Sequence, residues 1–387
     1  MTAKIAPLRR VSSAAVWVAV LGASVLVGCK RPKPPIASRV WLGPSSGCVE
    51  TPAHATSGTF ACWGVNDAGQ LGDGTTTSRL FAMKQSFEAG KVVDMALGET
   101  HACAVFEAPG DLQKKNIACW GEGGRGQLGS AAKARSLVPV KASDESGPAL
   151  AVAVGQEHTC IRSGGGDQLR CFGANGEGQL GAADEMASSW SRGAPIRDFA
   201  LGAAHTCAAY GKGPSTGELV LCRGRESAAP RASLLESIAV KELSAGGDHT
   251  CALLEDLTAR CWGKNDAGQL GDGTTRDSAV PVLIPELRDV AQVAAGRRHT
   301  CALLRNGTIA CWGDNSRHQL ASGTTENSSH PRIIVGLVQA REIVAAGDGT
   351  CARLEGGYVR CWGANDRGQL GDGTVVEHTV PAQIRFR

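Results

Sequence analysis

His249-Thr250-Cys251-Ala252-Leu253-Leu254-Glu255-Asp256-Leu257-Thr258-Ala259-Arg260-Cys261-Trp262-Gly263 decides the fold. Two apolar arms flank a polar turn at 255–258. Setting Cys251 opposite Cys261 makes a hairpin centred on Asp256. Directly opposed residues of antiparallel strands lie ~4.5–5.5 Å apart, a separation that a disulfide can span. Side chains alternate along a strand. The disulfide and Leu253 therefore share one face, and Ala252, Leu254 and Trp262 share the other. Both faces are apolar, so both must be covered. Blades stacked in a ring cover both; a one-sided sheet does not.

The phrase recurs outward from this point. Gly246-Gly247-Asp248 precedes it, and Asn265-Asp266-Ala267-Gly268-Gln269-Leu270-Gly271-Asp272-Gly273-Thr274 follows it. That second phrase returns at Asn66–Thr75 and Asn365–Thr374. Shorter forms stand at Gly126–Gly129 and Gly178–Gly181, with a degraded one at His318–Ala321. Cys-Trp-Gly or a variant begins at 62, 119, 171, 222, 261, 311 and 361. A period near 50 residues marks a propeller or solenoid. Runs such as Val290–Gly296 supply an inner strand. Ala279–Ile284 supplies an outer one, where Pro281 is tolerable at an edge. The expectation is all-β: a seven-bladed β-propeller with four strands per unit over residues 36–387. Composition agrees. Glycine makes up 51 of 387 residues and aromatics only 4%, which argues against a helix bundle. The 42% hydrophobic content argues against disorder.

These phrases resemble the regulator-of-chromosome-condensation repeat family. Its repeat runs through Gly-x-x-His-Thr, a hairpin and x-Trp-Gly to Asn-x-x-Gly-Gln-Leu-Gly. The likeness covers about nine-tenths of the chain and itself implies a seven-bladed propeller. Some units depart from it. Unit four has Cys222-Arg223-Gly224 in place of Cys-Trp-Gly and lacks Gly-Gln-Leu-Gly. Unit three has Phe172 for Trp. Unit one has Gly43-Pro44-Ser45-Ser46-Gly47-Cys48 before its first cysteine.

The N-terminus carries a different message. Lys4, Arg9 and Arg10 precede an uncharged run from Val11 to Gly28, which ends in Leu26-Val27-Gly28-Cys29. A basic start, an apolar stretch and small residues before a cut site make a secretory signal. The ending resembles the bacterial lipobox. The resemblance implies cleavage after residue 28 and diacylglycerol on Cys29. An uncleaved transmembrane anchor is the competing reading. Residues 29–35 then form the lipidated cysteine and a stiff Pro/Lys tether, anchoring the chain without spanning the bilayer. The expected location is the bacterial cell envelope, at the outer membrane or cell surface, since Lys30 follows Cys29.

Cysteine arithmetic supports export. With Cys29 lipidated, 14 of the 15 cysteines remain. They fall into neighbours: Cys48 and Cys62, Cys103 and Cys119, Cys160 and Cys171, Cys207 and Cys222, Cys251 and Cys261, Cys301 and Cys311, Cys351 and Cys361. Exported proteins keep disulfides, so seven local bridges are expected. Zinc sites usually place cysteines two to four residues apart, and no such pair occurs. Charge excludes a nucleic-acid partner. Of 40 basic and 37 acidic residues, three basic and no acidic ones lie in 1–28. The mature chain is neutral, whereas phosphate binding needs clustered positive charge.

Candidate chemistry reads mostly as structure. His101, His158, His205, His249 and His299 sit in different units, which holds them apart rather than around one ion, and no metal is expected. Gly-Gln-Leu-Gly lacks the Lys-Ser/Thr of a phosphate loop. Asp67 and Asp73, Asp266 and Asp272, and Asp366 and Asp372 read as turn residues rather than calcium ligands. Gly43–Gly47 and Gly213–Gly217 match G-x-S-x-G without the helix that a nucleophile elbow requires. Variable residues at repeated loops are the recognition candidates: Glu99, Glu157, Asp248, Arg297 and Arg298. Insertions at 108–116, 183–192 and 211–218 add surface, and Trp190 is a candidate anchor.

The reading that follows is a monomeric binding module without catalysis or cofactor. It captures an envelope or extracellular protein, or a glycan, in an inhibitory or adhesive role. The inhibitory case draws on the resemblance, since the family's exported bacterial members include an inhibitor of a secreted hydrolase. The alternative is an envelope polysaccharide hydrolase or lyase with a central-channel site, which a deep pocket with three or more titratable residues would favour. A remoter alternative, nucleotide exchange on a small GTPase, follows the family's eukaryotic namesake.

Overall fold

The computed structural model describes residues 36–51, 59–85, 87, 91–108, 111–129, 134–142, 148–181, 188–190, 194–211, 219–225, 233–234 and 239–387. The expected signal, Cys29 and the expected tether lie outside them. The described chain forms seven four-stranded sheets, each a meander of consecutive strands. Their innermost strands are Arg39–Leu42, Lys91–Leu97, Ala151–Val154, Ile196–Leu201, Val240–Ala245, Val290–Ala295 and Ala340–Ala346. The helical element among the described residues is one 3-10 turn at Glu355–Gly357. This is the seven-bladed β-propeller.

Blade five shows how the hairpin pattern becomes packing. Its second strand, His249–Leu254, pairs with its third, Ala259–Gly263, and Cys251 stands opposite Cys261. Cys251, Leu253 and Cys261 pack against Val293, Ala302 and Trp312 of blade six. Ala252, Leu254 and Trp262 pack against Ala209, Val220 and Cys222 of blade four. Each blade thus buries both faces, and the core is a set of inter-blade layers rather than one centre.

All seven blades carry a disulfide at this place, between directly opposed residues of the second and third strands. Cys48 bonds to Cys62 in blade one, Cys103 to Cys119 in blade two and Cys160 to Cys171 in blade three. Cys207 bonds to Cys222 in blade four and Cys251 to Cys261 in blade five. Cys301 bonds to Cys311 in blade six and Cys351 to Cys361 in blade seven. These are the seven neighbour pairs that the spacing predicts. In the chain-entropy account each such loop is worth roughly 2–3 kcal/mol.

Among the described residues, no blade mixes strands from the two ends. The ring closes side by side. Trp63 Nε1 donates to Gln369 O at 2.8 Å. Ala37 N donates to Gly357 O, Gly373 N to Leu80 O and Ala82 N to Arg385 O, and Arg387 N donates back to Ala82 O.

Two insertions turn out more regular than the sequence suggests. Most of 108–116 lengthens the blade-two hairpin, where Glu107 pairs with Lys115 and Phe106 with Asn116. Trp190 lies in the outer strand of blade three, Ser188–Trp190, opposite Leu169, not in an irregular loop. Most of 211–218, including Gly213–Gly217, lies outside the described residues. Gly43–Gly47 links two strands with no helix.

Candidate functional site: the channel and its mouth

The repeated phrases have positions across blade junctions as well as within blades. In the Asn-x-x-Gly-Gln-Leu-Gly loop, Asn265 Oδ1 accepts from Leu270 N at 2.9 Å, and Gln269 Oε1 accepts from Ala267 N at 2.9 Å. These two bonds fold the loop so that the Gln269 carbonyl faces the next blade. There Trp312 Nε1 donates to it at 2.9 Å. The same bond runs from Trp120 to Gln70, from Trp362 to Gln319 and from Trp63 to Gln369. The closing glycine eases this approach: a Cβ on Gly271 would stand 2.6 Å from Trp312 Nε1. Asp272 is occupied within its own loop, accepting from Asn265 Nδ2, Thr274 N and Thr274 Oγ1. Asp73 and Asp372 are held likewise. They act as turn residues.

The five histidines form an open belt. His101 Nε2 lies 2.9 Å from Thr159 Oγ1, and His158, His205, His249 and His299 reach Thr206, Thr250, Thr300 and Thr350 at 2.8–3.0 Å. Every imidazole is fully buried. Thr159 and Thr300 donate their hydroxyl protons to Gln127 O and Gln269 O. Nε2 of His101 and His249 must therefore carry the proton. Burial holds all five rings neutral, lowering them from 6.5 to about 3 or 4. The belt stops at blade seven, where Gly349 replaces His, and skips blade one, where Ser46 and Gly47 replace His-Thr.

Inside the belt runs a central channel of about 670 Å³. It is lined along its length by the inner strands and at its mouth by Glu99, Gln156, Ala203, Gly247, Asp248 and Arg297. Backbone bonds run along this mouth from blade three to blade seven: Gln156 N to Ala203 O, Ala203 N to Gly247 O, Gly247 N to Arg297 O and Arg297 N to Gly347 O.

The sequence reading missed a second set of polar residues on the inner strands. Asp94 Oδ2 accepts from Val152 N at 3.0 Å, Asp198 Oδ2 from Leu243 N at 2.6 Å and Gln292 Oε1 from Ile343 N at 2.9 Å. Each ties its blade to the next. Glu242 takes the equivalent place toward Val293, and desolvation, reinforced by the Asp198 charge, pushes its carboxyl up to about 8. Burial also raises Asp94 and Asp198. A signal was present: in units two, four, five, six and seven a polar residue recurs four positions before the mouth residue Gly98, Gly202, Gly246, Gly296 or Ala346.

The structure brings Glu99, Asp248 and Arg297 together at the mouth. Glu157 and Arg298 stand in the same turns. Four of these residues engage a neighbouring blade. Asp248 meets Arg225 at 2.8 Å, Arg298 meets Asp266 at 2.8 Å, Arg297 meets Asp348 at 3.8 Å and Glu157 meets Arg125 at 3.9 Å. Exposed pairs of this kind contribute roughly 0–1 kcal/mol each. Their weight lies in fixing a charge pattern that differs from blade to blade. Trp190 sits apart from them on an outer strand.

The chain resembles the ultraviolet-B receptor UVR8 of Arabidopsis thaliana, 30% identical over 256 residues that cover 61% of this chain and 56% of the receptor. It also resembles the human probable E3 ubiquitin-protein ligase HERC6, 29% identical over 58% of this chain but 23% of that protein. It thus spans about half or less of the length of these relatives. Human WBSCR16 superposes with a TM-score of 0.72 at 20% identity, covering 83% of this chain and 92% of that one. Prp20p of Saccharomyces cerevisiae superposes with a TM-score of 0.69 at 16% identity, covering 91% and 87%. The repeat loops, the blade junctions and a family match over residues 39–387 converge: the chain belongs to the RCC1-like domain family.

Proposed function

We propose that this chain is an exported, lipid-anchored propeller of the bacterial cell envelope that binds a protein through its channel-mouth face. The observation that carries the proposal is the mouth itself. It is a rim tied by backbone bonds from blade three to blade seven on a disulfide-held scaffold, with acidic residues in the turns of blades two, three, five and seven, two arginines in blade six and no charge in blades one and four. Variable residues on a rigid repeat are a recognition surface. The lipobox-like ending at Cys29 supports the anchor, and seven disulfides support an oxidising compartment. The solved structure of Prp20p is described with its binding properties to Gsp1p and histones, a precedent for protein binding on this fold. Inhibition of a secreted hydrolase, or adhesion, is the form of binding that suits an anchored module.

The test is capture from the native envelope with residues 36–387, repeated with Arg297→Glu/Arg298→Glu. One stoichiometric protein, lost with the double variant and kept with a variant on the opposite face, is the expected result. Equal capture by both variants would move the site away from the mouth.

A hydrolase or lyase reading draws on one observation, a channel carboxyl held protonated to about pH 8 at Glu242. The binding reading accounts for that group as a tie to Val293 in the next blade. Glu242→Gln keeps an acceptor for that tie. It should leave partner capture unchanged and raise stability at pH 7–8 by roughly 1–3 kcal/mol, because the unfolded carboxyl ionises above about 4.5 while the folded one stays protonated. Glycan cleavage that vanishes in this variant would instead establish the enzyme.

A further inference from the structure

Opposite the channel mouth, one connection between blades is uncharged where its neighbour is charged, and the exposed Arg341–Glu355 pair flanks it. The connection from blade six to blade seven reads Ile334-Val335-Gly336-Leu337-Val338-Gln339. The corresponding connection from blade five to blade six reads Ile284-Pro285-Glu286-Leu287-Arg288-Asp289. Both bury the Ile and the Leu, so the two backbones are seated alike. The difference is confined to the outward positions. Val335 is 90% exposed and Val338 60%.

Two other apolar residues join them. Glu355 N donates to Gln339 O at 2.8 Å, which sets the blade-seven hairpin beside this connection. Ala37 N donates to Gly357 O at 2.8 Å, which sets the start of the propeller beside the hairpin. Tyr358 is 41% exposed and Ile36 51%. Val335, Val338, Tyr358 and Ile36 thus share the sector at which the chain enters the propeller.

Ile36 follows Cys29 by seven residues. Fully extended, these reach roughly 25 Å. The prolines at 32, 34 and 35 favour an extended form of about 3.1 Å per residue. Lys30, Arg31 and Lys33 lie in the same stretch and suit an anionic headgroup layer. An acyl anchor at Cys29 thus holds this sector within a few nanometres of lipid at high effective concentration. A patch this small has little affinity for a bilayer alone, but needs little once tethered.

We propose that this sector rests on the membrane that carries the anchor, with the channel mouth facing away from it. The proposal rests on the lipid-anchored reading given above. Val335 and Val338 then dip into the headgroup boundary, Tyr358 sits at its polar edge, and the anchor becomes an orienting device as well as a tether.

The test uses residues 29–387 with the Cys29 thiol coupled to a maleimide phospholipid. The carrier is a vesicle of phosphatidylethanolamine and phosphatidylglycerol, and the readout is amide hydrogen exchange. Coupling supplies the anchor whether or not the host does. Exchange in 334–339 and 355–358 should slow at least threefold relative to uncoupled protein with the same vesicles, with 246–248 and 296–298 unchanged. Val335→Asp/Val338→Asp should abolish the slowing while leaving the rest of the exchange map intact. Equal rates in coupled and uncoupled protein, or slowing at the mouth, would overturn the proposal. Slowing that disappears when the coupled protein is diluted on the vesicle would overturn it in favour of a second copy. An unmodified Cys29 peptide from the native envelope would instead overturn the anchor reading itself.

Discussion

Blades four and six both depart from the repeat, with opposite results. Blade six has His318-Gln319-Leu320-Ala321 where its sisters have Gly-Gln-Leu-Gly, yet its loop keeps the sister geometry. His318 and Ala321 adopt positive φ of 62° and 49°, and Trp362 still donates to the Gln319 carbonyl. Blade four has no such phrase, and its outer strand is two residues, Ser233–Leu234. Trp262 of blade five is fully buried, yet its indole N–H has no hydrogen-bond partner among the described residues. The loop's conformation can be forced on the wrong residues at a local cost. Where the phrase is absent, no carbonyl among the described residues takes the place of the Gln carbonyl.

The two junctions keep the His–Thr link in common, through His205–Thr250 and His299–Thr350, so acid should break both alike. This is the largest expected effect. Five imidazoles stay neutral in the fold down to about pH 3 or 4, while unfolded ones take up protons below about 6.5. Their contribution is whole above pH 6.5 and declines as pH falls toward 4. Denaturant unfolding at pH 7.5 and 5 should differ by several kcal/mol, with an upper figure of about 2 kcal/mol per imidazole at pH 5. A flat profile in Glu242→Gln, which removes the opposing carboxyl, would mean that the rings are not held neutral.

The second effect sharpens the contrast. Trp362→Phe deletes a made hydrogen bond and leaves Gln319 O unpaired by the indole, so it should cost about 1–2 kcal/mol. Trp262→Phe deletes a donor that has no partner among the described residues and should be neutral or slightly stabilising. Equal costs in thermal unfolding would show that the Trp262 N–H is satisfied after all. The smallest effect concerns blade six alone. Ala321→Gly removes a Cβ from a left-handed position and should stabilise by up to about 1 kcal/mol. The same exchange has no counterpart in blade four.

Much of this was legible because the repeat writes its own register. Cys251 opposite Cys261, and the division of Leu253 from Leu254 between two faces, follow from alternation within fifteen residues. The same alternation sets Cys62, Cys119, Cys171, Cys311 and Cys361 against the cysteines before them. What joins the blades was not legible. His249 answers to Thr300, and Trp312 to the carbonyl of Gln269, at separations of 51 and 43 residues. Neither bond leaves a local pattern, since each partner also looks like an ordinary member of its own strand or loop. Asp94, Asp198 and Glu242 were overlooked for the same reason. A polar residue on an inner strand reads as channel-facing, while the backbone N–H it serves belongs to another blade.

The seven disulfides also carry a message about biogenesis. Each bridge joins a cysteine to the next one along the chain, at separations of 10 to 16 residues. On the exported, lipid-anchored reading proposed above, which takes Cys29 out of the order, a chain threaded across a membrane from its N-terminus presents the other cysteines in pairing order. An oxidase that couples thiols as they emerge therefore makes every native bond in turn, and no reshuffling by an isomerase is needed to reach the finished ring.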